Sequence, residues 1–181
     1  SMPFVVTLIV VACISMMVGN LLALKQNNIK RMLGYSSIAH FGYLLLLVLV
    51  GGQKFGIEGF AVYLTIYVMT SLAAFGVVTL MSQADGKRDA DPLNDYRGLF
   101  WRRPYLASIF TLALFSLAGI PLTAGFIGKF YVVTAAVGAG FWGWIGLIFV
   151  VLGSSIGIFF YLRTIISLFL AKKDMHRFDA E

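Results

Sequence analysis

Residues 118–125 read Ala-Gly-Ile-Pro-Leu-Thr-Ala-Gly and interrupt an apolar run that extends from 104 to about 138. A single helix over that run would be about 52 Å long, whereas the hydrocarbon core of a bilayer is about 30 Å thick. Pro121 cannot donate an i to i−4 hydrogen bond and clashes with the preceding turn, and it has Gly119 and Gly125 on either side. The pattern therefore predicts a helix that is broken near 119–125.

A break at this position is a candidate functional feature. Unpaired backbone at membrane depth is tolerated only where it is buried in protein or lines a water-filled cavity. Discontinuous helices are also the usual location of ion sites in transporters. The alternative is a simple proline kink, which membrane helices tolerate.

The whole chain has the composition of a membrane protein. It has 181 residues, of which 60% are hydrophobic and 12% are charged, and its mean hydropathy is +0.89. A soluble globular domain has about 45–50% apolar and about 25% charged residues, so that class is excluded, and disorder is excluded as well. Cys13 is the sole cysteine, which excludes a disulfide scaffold. Transmembrane strands need roughly ten-residue segments of alternating polarity, which the sequence lacks.

The apolar runs predict an all-α polytopic membrane protein with five transmembrane helices, the fourth discontinuous near Gly119–Gly125, in a single membrane domain over 1–181. Each run supplies the roughly 20 residues with which a helix crosses a bilayer. A polar stretch at 82–103 is predicted to be a cytoplasmic linker. The predicted spans are 3–24, 32–50, 59–81, 104–138 with its break, and 141–170.

The basic residues predict the orientation. Cytoplasmic loops are rich in Lys and Arg, and with five crossings only Lys54 lies on the opposite side, while Lys129 lies within a span. The N-terminus is therefore predicted outside and the C-terminal tail inside, and the net charge of +6 reflects topology rather than nucleic-acid binding. The residues on the predicted cytoplasmic side are Lys25, Lys30, Arg31, Lys87, Arg88, Arg97, Arg102, Arg103, Arg163, Lys172, Lys173 and Arg177.

Lys129 and His40 are ionisable residues predicted to lie deep in their spans. Counting along each helix places both about 14 Å from one edge of the bilayer core, near its centre. A charge at that depth is costly, so such residues are functional candidates by default. A lysine poised between charged and neutral forms can pass protons on, and histidine does so near neutral pH. The alternatives are a lysine that extends to the interface and a hydrogen-bonded core histidine.

Polar side chains accompany these two residues. Three lie within one turn of His40, and a stripe on the third span recurs at helical spacing. The stripe indicates either a hydrated path or interhelical hydrogen bonds, which contribute only about 0.6 kcal/mol each. The first group is Ser36, Ser37 and Tyr43, and the stripe is Tyr63, Tyr67, Thr70, Ser71 and Ala74.

The sequence predicts no metal or redox cofactor in this chain. Cys13, His40 and His176 are too scattered for the spacing of metal ligands. There is no cysteine cluster for iron–sulfur and no apparent axial pair for haem.

Three stretches carry a resemblance to a known family. NNIKRMLGYSSIAHFGY at 27–43 resembles the signature of the antiporter-like, proton-translocating subunits of NADH-quinone oxidoreductase, which is respiratory complex I. SLAGIPLTAGFIGKFYV at 116–132 and GLFWRRP at 98–104 are similar to subunit N of the bacterial enzyme. The similarity runs along nearly the whole chain.

The resemblance implies two inverted five-helix repeats in the full subunit, of which this chain corresponds to the C-terminal repeat. It implies that Lys129 is the lysine of the broken helix and His40 the central histidine of a proton relay. It also implies that NADH, FMN, iron–sulfur clusters and quinone are bound by partner subunits, and that the neighbours are other antiporter-like subunits in a bacterial inner membrane. The glutamate and further lysines of the first repeat have no counterpart in this chain.

Other functions are consistent with the same helices. A cation/proton antiporter or a membrane hydrogenase subunit would share the module, although GFIGKFY at 125–131 disfavours them. A structural membrane subunit without transport is a second alternative. A quinone-binding enzyme subunit is a weak third, since nothing in the sequence marks a headgroup site.

Overall fold

The computed structural model describes residues 2–85 and 93–170, with side chains for 2–82 and 93–170. The parts of the predicted linker at 86–92 and of the predicted tail at 171–181, with Lys87, Arg88, Lys172, Lys173, His176 and Arg177, lie outside these ranges. Within them the chain forms helices and no strand. The α-helices are α1 (Met2–Leu24), α2 (Ile29–Val50), α3 (Ile57–Asp85), α4 (Leu99–Arg102), α5 (Pro104–Ala118), α6 (Ala124–Val137) and α7 (Gly140–Phe169). A short 3₁₀ helix, Leu93–Tyr96, precedes α4.

The prediction of an all-α membrane protein is confirmed. By length and composition, α1, α2, α7 and the helical stretch Gly52–Ser82 are each able to cross a membrane. That stretch begins with a short π-helical turn, Gly52–Gly56, which continues directly into α3. In place of a fifth long helix there are two shorter apolar helices, α5 and α6, so the fourth segment is discontinuous as predicted.

Helix ends on the basic side are closed by polar side chains. Asn28 caps α2, because its side-chain oxygen accepts a hydrogen bond from the backbone N–H of Arg31 at 3.0 Å. At the end of α1, the guanidinium of Arg163 on α7 donates to the carbonyl oxygens of Leu24 at 2.8 Å and Gln26 at 3.2 Å. A cation is favourable there because the last carbonyls of a helix carry partial negative charge.

Backbone contacts bring these ends together. The N–H of Leu93 donates to the carbonyl of Asn27 at 2.6 Å, and that of Gly98 donates to the carbonyl of Ser167 at 2.9 Å. The segment 93–103 therefore lies beside the α1–α2 turn and the last turn of α7. The described basic residues of these segments share one end of the bundle, as the charge pattern predicts.

Small residues fix the register of α1 against α2. A Cβ added to Gly19 would lie 2.6 Å from the backbone nitrogen of Ala39, and one added to Gly42 would lie 2.9 Å from the carbonyl oxygen of Ala12. Small residues allow such close approach of helix backbones in membranes. Because His40 and Tyr43 lie next to these contacts, the packing of α1 on α2 sets their position.

Candidate functional site

The first half-helix ends at a glycine, before the proline is reached. Gly119 has φ +75°. Its N–H donates to the carbonyl of Ser116 at 3.0 Å, and the N–H of Ile120 donates to that of Phe115 at 3.2 Å. This is the hydrogen-bond pattern of a Schellman motif, which ends a helix at a left-handed residue. Pro121 lies exposed in the connection beyond it.

The second half-helix starts against the last turn of the first. The backbone N–H of Gly125 donates to the hydroxyl oxygen of Ser116 at 3.0 Å, which satisfies one of the free donors at the start of α6. A Cβ added to Gly125 would overlap the carbonyl oxygen of Ser116. Only glycine fits this close approach of the two backbones.

Lys129 turns back towards the break. Its Nζ donates to the carbonyl oxygen of Ala118, the last residue of α5, at 3.2 Å. Its methylene groups lie over Gly119, where an added Cβ would come within 2.7 Å of the lysine Cδ. The C-terminal end of α5 carries partial negative charge, so it is a favourable place for an ammonium group. The amine thus lies at the interruption of the helix and does not extend to an end of the bundle.

Tyr43 connects this lysine to His40. The Nζ of Lys129 lies 5.2 Å from the centroid of the Tyr43 ring, within the range of a cation–π interaction. The imidazole of His40 meets the same ring edge-on, with 5.7 Å between centroids. A single aromatic ring therefore contacts both ionisable groups that the sequence singled out.

His40 is buried between two phenols. Its side chain is 4% exposed. Nδ1 lies 2.7 Å from the hydroxyl of Tyr63 on α3, and Nε2 lies 3.2 Å from the hydroxyl of Tyr161 on α7. Neutral imidazole offers one donor and one acceptor, and a phenol can serve as either. Both ring nitrogens are thus paired with a hydroxyl. If the imidazole gains a proton, the hydroxyl oxygen next to the protonated nitrogen can accept its hydrogen bond.

A small cavity separates His40 from the break. Its volume is about 10 Å³, close to the space that one water molecule needs. Gly125 forms the wall on the side of the break. The polar side chains at the wall are those of His40, Tyr63, Tyr67, Thr70 and Ser116. The Tyr67 hydroxyl donates to Ser37 at 2.6 Å, while Thr70 and Ser116 hydroxyls are 3.4 Å apart.

The structure brings together most of the residues predicted from the sequence. Ser36 donates to the carbonyl of Leu33 at 2.8 Å, and its hydroxyl lies beside that of Tyr161. Ser71 is half-buried but does not border the cavity. Among the residues gathered here are Lys129, His40, Ser36, Ser37, Tyr43, Tyr67, Thr70, Gly119 and Gly125.

Sequence reasoning missed three participants, Tyr161, Ser116 and Asn20. Asn20 on α1 is 3% exposed and donates from Nδ2 to the Tyr43 hydroxyl at 3.0 Å. A signal existed for two of them, because Asn20 is the one amide in its apolar run and Ser116 stands two residues before the broken motif at 118–125. Tyr161 carried none, since aromatic residues are frequent throughout the last span.

Comparisons with known proteins give consistent matches. Residues 3–169 match the family described as NADH:quinone oxidoreductase/Mrp antiporter, TM. Over 173 residues the chain is 58% identical to the NADH-quinone oxidoreductase subunit N of Ectopseudomonas mendocina (strain ymp), and the match covers 96% of this chain and 34% of that protein. The chain thus spans about a third of the length of this curated relative.

Two solved structures have a similar fold. One is a chain of respiratory complex I from Thermus thermophilus with bound aureothin, with a TM-score of 0.77 and 34% identity over 97% of this chain and 38% of that one. The other is a chain of the Mrp complex from Dietzia sp. DQ12-45-1b, with a TM-score of 0.84 and 26% identity over 93% of this chain and 30% of that one.

Proposed function

Because the chain belongs to the NADH:quinone oxidoreductase/Mrp antiporter family, we propose that it forms the proton-carrying part of a membrane subunit of a proton-translocating NADH:quinone oxidoreductase. The relative at 58% identity is named for that enzyme as its subunit N. This chain contributes no electron transfer. It moves protons in response to electron transfer from NADH to quinone in other subunits.

The observation that carries the proposal is the position of the Lys129 amine. It lies at the C-terminal end of a half-helix, 3.2 Å from the Ala118 carbonyl and 5.2 Å from the centre of the Tyr43 ring. Both contacts favour the protonated amine, while partial burial favours the neutral one. Opposing effects of this kind allow a modest change in the surrounding charge to release the proton.

His40 is the second carrier in the proposed path. The cavity of about 10 Å³ lies between His40 and the start of α6, with hydroxyl groups on its wall. One water molecule there would join the imidazole to Ser116 and Thr70 by hydrogen bonds. Protons would enter a hydrated half-channel from one face and meet His40 and Lys129 in series, and a change of charge on a neighbouring subunit would release the proton.

The orientation and partners follow from the same proposal. The basic end of the bundle faces the cytoplasm of a bacterial cell, the N-terminal end of α1 faces outside, and the membrane is the inner one. The neighbours are other membrane subunits of the complex, among them adjacent antiporter-like subunits. NADH, FMN, iron–sulfur clusters and quinone are bound by partner subunits.

Replacement of Lys129 in the assembled complex tests the proposal. Lys129→Ala is expected to reduce proton pumping strongly, although the complex that oxidises NADH still assembles. Lys129→Arg keeps the charge, but a guanidinium does not release its proton, so it is expected to fail as well. Lys54→Ala, at the exposed Lys54, is the matched control and is expected to pump normally. Normal pumping by Lys129→Ala in a fully assembled complex would refute the proposal.

A cation/proton antiporter is the second candidate, and the similarity to a chain of the Dietzia Mrp complex favours it. Under this alternative, transport by the full-length subunit would depend on a cation that is exchanged for protons and would proceed without NADH. A purely structural subunit predicts a different result again: Lys129→Ala and His40→Ala would lower the amount of assembled complex without changing pumping per complex.

A further inference from the structure

Asn20 is a buried polar residue to which the proposed proton path assigns no role. It lies on α1, which is apolar along its length, and its side chain is 3% exposed. A buried amide in a membrane helix is unfavourable unless its hydrogen bonds are made. Its Nδ2 makes two, to the carbonyl of Met16 at 2.7 Å and to the hydroxyl of Tyr43 at 3.0 Å.

Glycines on α7 make room for this pair. A Cβ added to Gly153 would lie 2.7 Å from Nδ2 of Asn20 and 2.9 Å from the Tyr43 hydroxyl. One added to Gly157 would lie 3.4 Å from Oδ1 of Asn20. Three helices therefore enclose the polar end of the Tyr43 side chain. The Asn20 amide donates to its hydroxyl from α1, and the Ser154 side chain lies beside that hydroxyl on α7.

The other end of Tyr43 faces the two ionisable residues. Its ring lies 5.2 Å from Nζ of Lys129 and meets the His40 ring at 5.7 Å. Tyr43 is 1% exposed, so it has no space to adopt another position while Asn20 holds its hydroxyl. A shift of the ring would change its distance to both groups at once.

We propose that Asn20 is a positioning residue for proton transfer, which holds the ring of Tyr43 against the ammonium of Lys129 through the Asn20–Tyr43 hydrogen bond. The inference rests on the proposed function. Asn20 touches neither proton carrier and acts only through Tyr43. Removal of either partner of the hydrogen bond should therefore have the same consequence.

A double-substitution cycle in the assembled complex with the full-length subunit tests this. Asn20→Leu and Tyr43→Phe are each expected to lower the pumping rate per assembled complex about fivefold, the typical effect of one hydrogen bond. The double variant is expected to match the single ones. Ser15→Ala on the same helix, whose hydroxyl bonds only to the Val11 carbonyl, is the control and is expected to pump normally.

Each outcome has a defined reading. Normal pumping by Asn20→Leu, or effects of the two substitutions that multiply, would overturn the positioning role. If Asn20→Leu does not assemble, Gly153→Ala serves instead, because its Cβ forces the Asn20 amide and the Tyr43 hydroxyl to shift while both residues are kept. Normal pumping by Gly153→Ala overturns the inference. Lys129→Ala is measured in parallel. Normal pumping by Lys129→Ala would refute the proposed function. If Lys129→Ala loses pumping while Asn20→Leu pumps normally, only the role of Asn20 is refuted.

Discussion

The carbonyl oxygen of Ala118 and the amine nitrogen of Lys129 are 3.2 Å apart, although the two residues belong to different half-helices. The side chain of the second half-helix thus closes the end of the first. A hydrogen bond from a charged donor is roughly twice as strong as a neutral one. Loss of the proton from Lys129 would therefore weaken a contact that spans the break, which couples the charge of this residue to the packing of α5 against α6.

Gly119→Ala is expected to disturb both the break and the lysine. The substitution places a side chain at φ +75°, a backbone conformation that costs roughly 1–2 kcal/mol for a residue with a Cβ. The new Cβ also comes within 2.7 Å of the Lys129 Cδ. We expect the purified Gly119→Ala complex to unfold at a lower temperature and to pump protons more slowly than the unsubstituted complex. Thermal unfolding and the pumping rate are the two measurements.

Gly34→Ala is the matched control for Gly119→Ala. Gly34 lies in α2, and an added Cβ there meets nothing within 4 Å. Alanine favours a helix by about 1 kcal/mol over glycine, so stability should be equal or higher. A Gly119→Ala complex as stable and active as Gly34→Ala would show that the end of α5 does not depend on glycine.

Gly125→Ala is expected to have a larger effect on assembly. The added Cβ would overlap the carbonyl oxygen of Ser116, so α6 must move away from α5. The contact is between the backbones of the two half-helices, so no flexible side chain can move aside to make room for the Cβ. The yield of assembled complex on native gels should fall severely, while Gly76→Ala, with open space around the Cβ, should assemble normally. Equal yields would contradict the close approach described here.

The break could be predicted from the sequence, but the direction of the lysine could not. The length of the apolar run and the residues 119–125 are sufficient to exclude one straight helix. The position of the Lys129 amine depends on how the chain crosses from α5 to α6, and a count along a helix carries no information about that. The decisive residue is Gly119, whose left-handed conformation leaves room for the lysine methylenes.

The partners of His40 and Tyr43 could be predicted only in part. The stripe on α3 indicated Tyr63 and Tyr67, because polar residues at helical spacing stand out on an apolar helix. Asn20 is a single amide on the otherwise apolar α1, and Tyr161 is one of many aromatic residues on α7, so neither shows which residue of the neighbouring helix it contacts. Only the packed helices reveal which of their residues reach α2.

Ser116→Ala is expected to weaken the start of α6. The substitution removes the acceptor of the Gly125 N–H, and an unsatisfied donor in this partly buried place costs about 1–3 kcal/mol. The matched comparison is Thr70→Val, which removes a hydroxyl from the same cavity wall. That hydroxyl donates to the Ile66 carbonyl of its own helix at 2.6 Å, and its contact with Ser116 on α5 is 3.4 Å long. Its loss leaves no backbone N–H of α6 without an acceptor. Thermal unfolding of the complex should show a clearly smaller loss for Thr70→Val; the reverse order would contradict the role of Ser116.

His40→Leu is expected to affect pumping and stability together. The leucine leaves the hydroxyls of Tyr63 and Tyr161 without the imidazole nitrogens that now pair with them at 2.7 and 3.2 Å. Each buried hydroxyl left unsatisfied costs about 1–3 kcal/mol. The triple variant with Tyr63→Phe and Tyr161→Phe removes those hydroxyls and should recover stability without recovering pumping. Recovery of pumping in the triple variant would show that His40 has only a packing role.

Tyr43→Leu is expected to impair pumping more than Tyr43→Phe. Phenylalanine keeps an aromatic ring beside the Lys129 amine but loses the hydroxyl through which Asn20 positions it, whereas leucine removes the ring itself. A desolvated cation–π contact contributes up to about 2 kcal/mol, which is roughly a thirtyfold effect on an equilibrium that favours the charged amine. Pumping per assembled complex is the measurement, with native-gel yield as its reference. Equal rates for the two variants would mean that the ring does not stabilise the protonated lysine, and the contact with Ala118 would then be its main support.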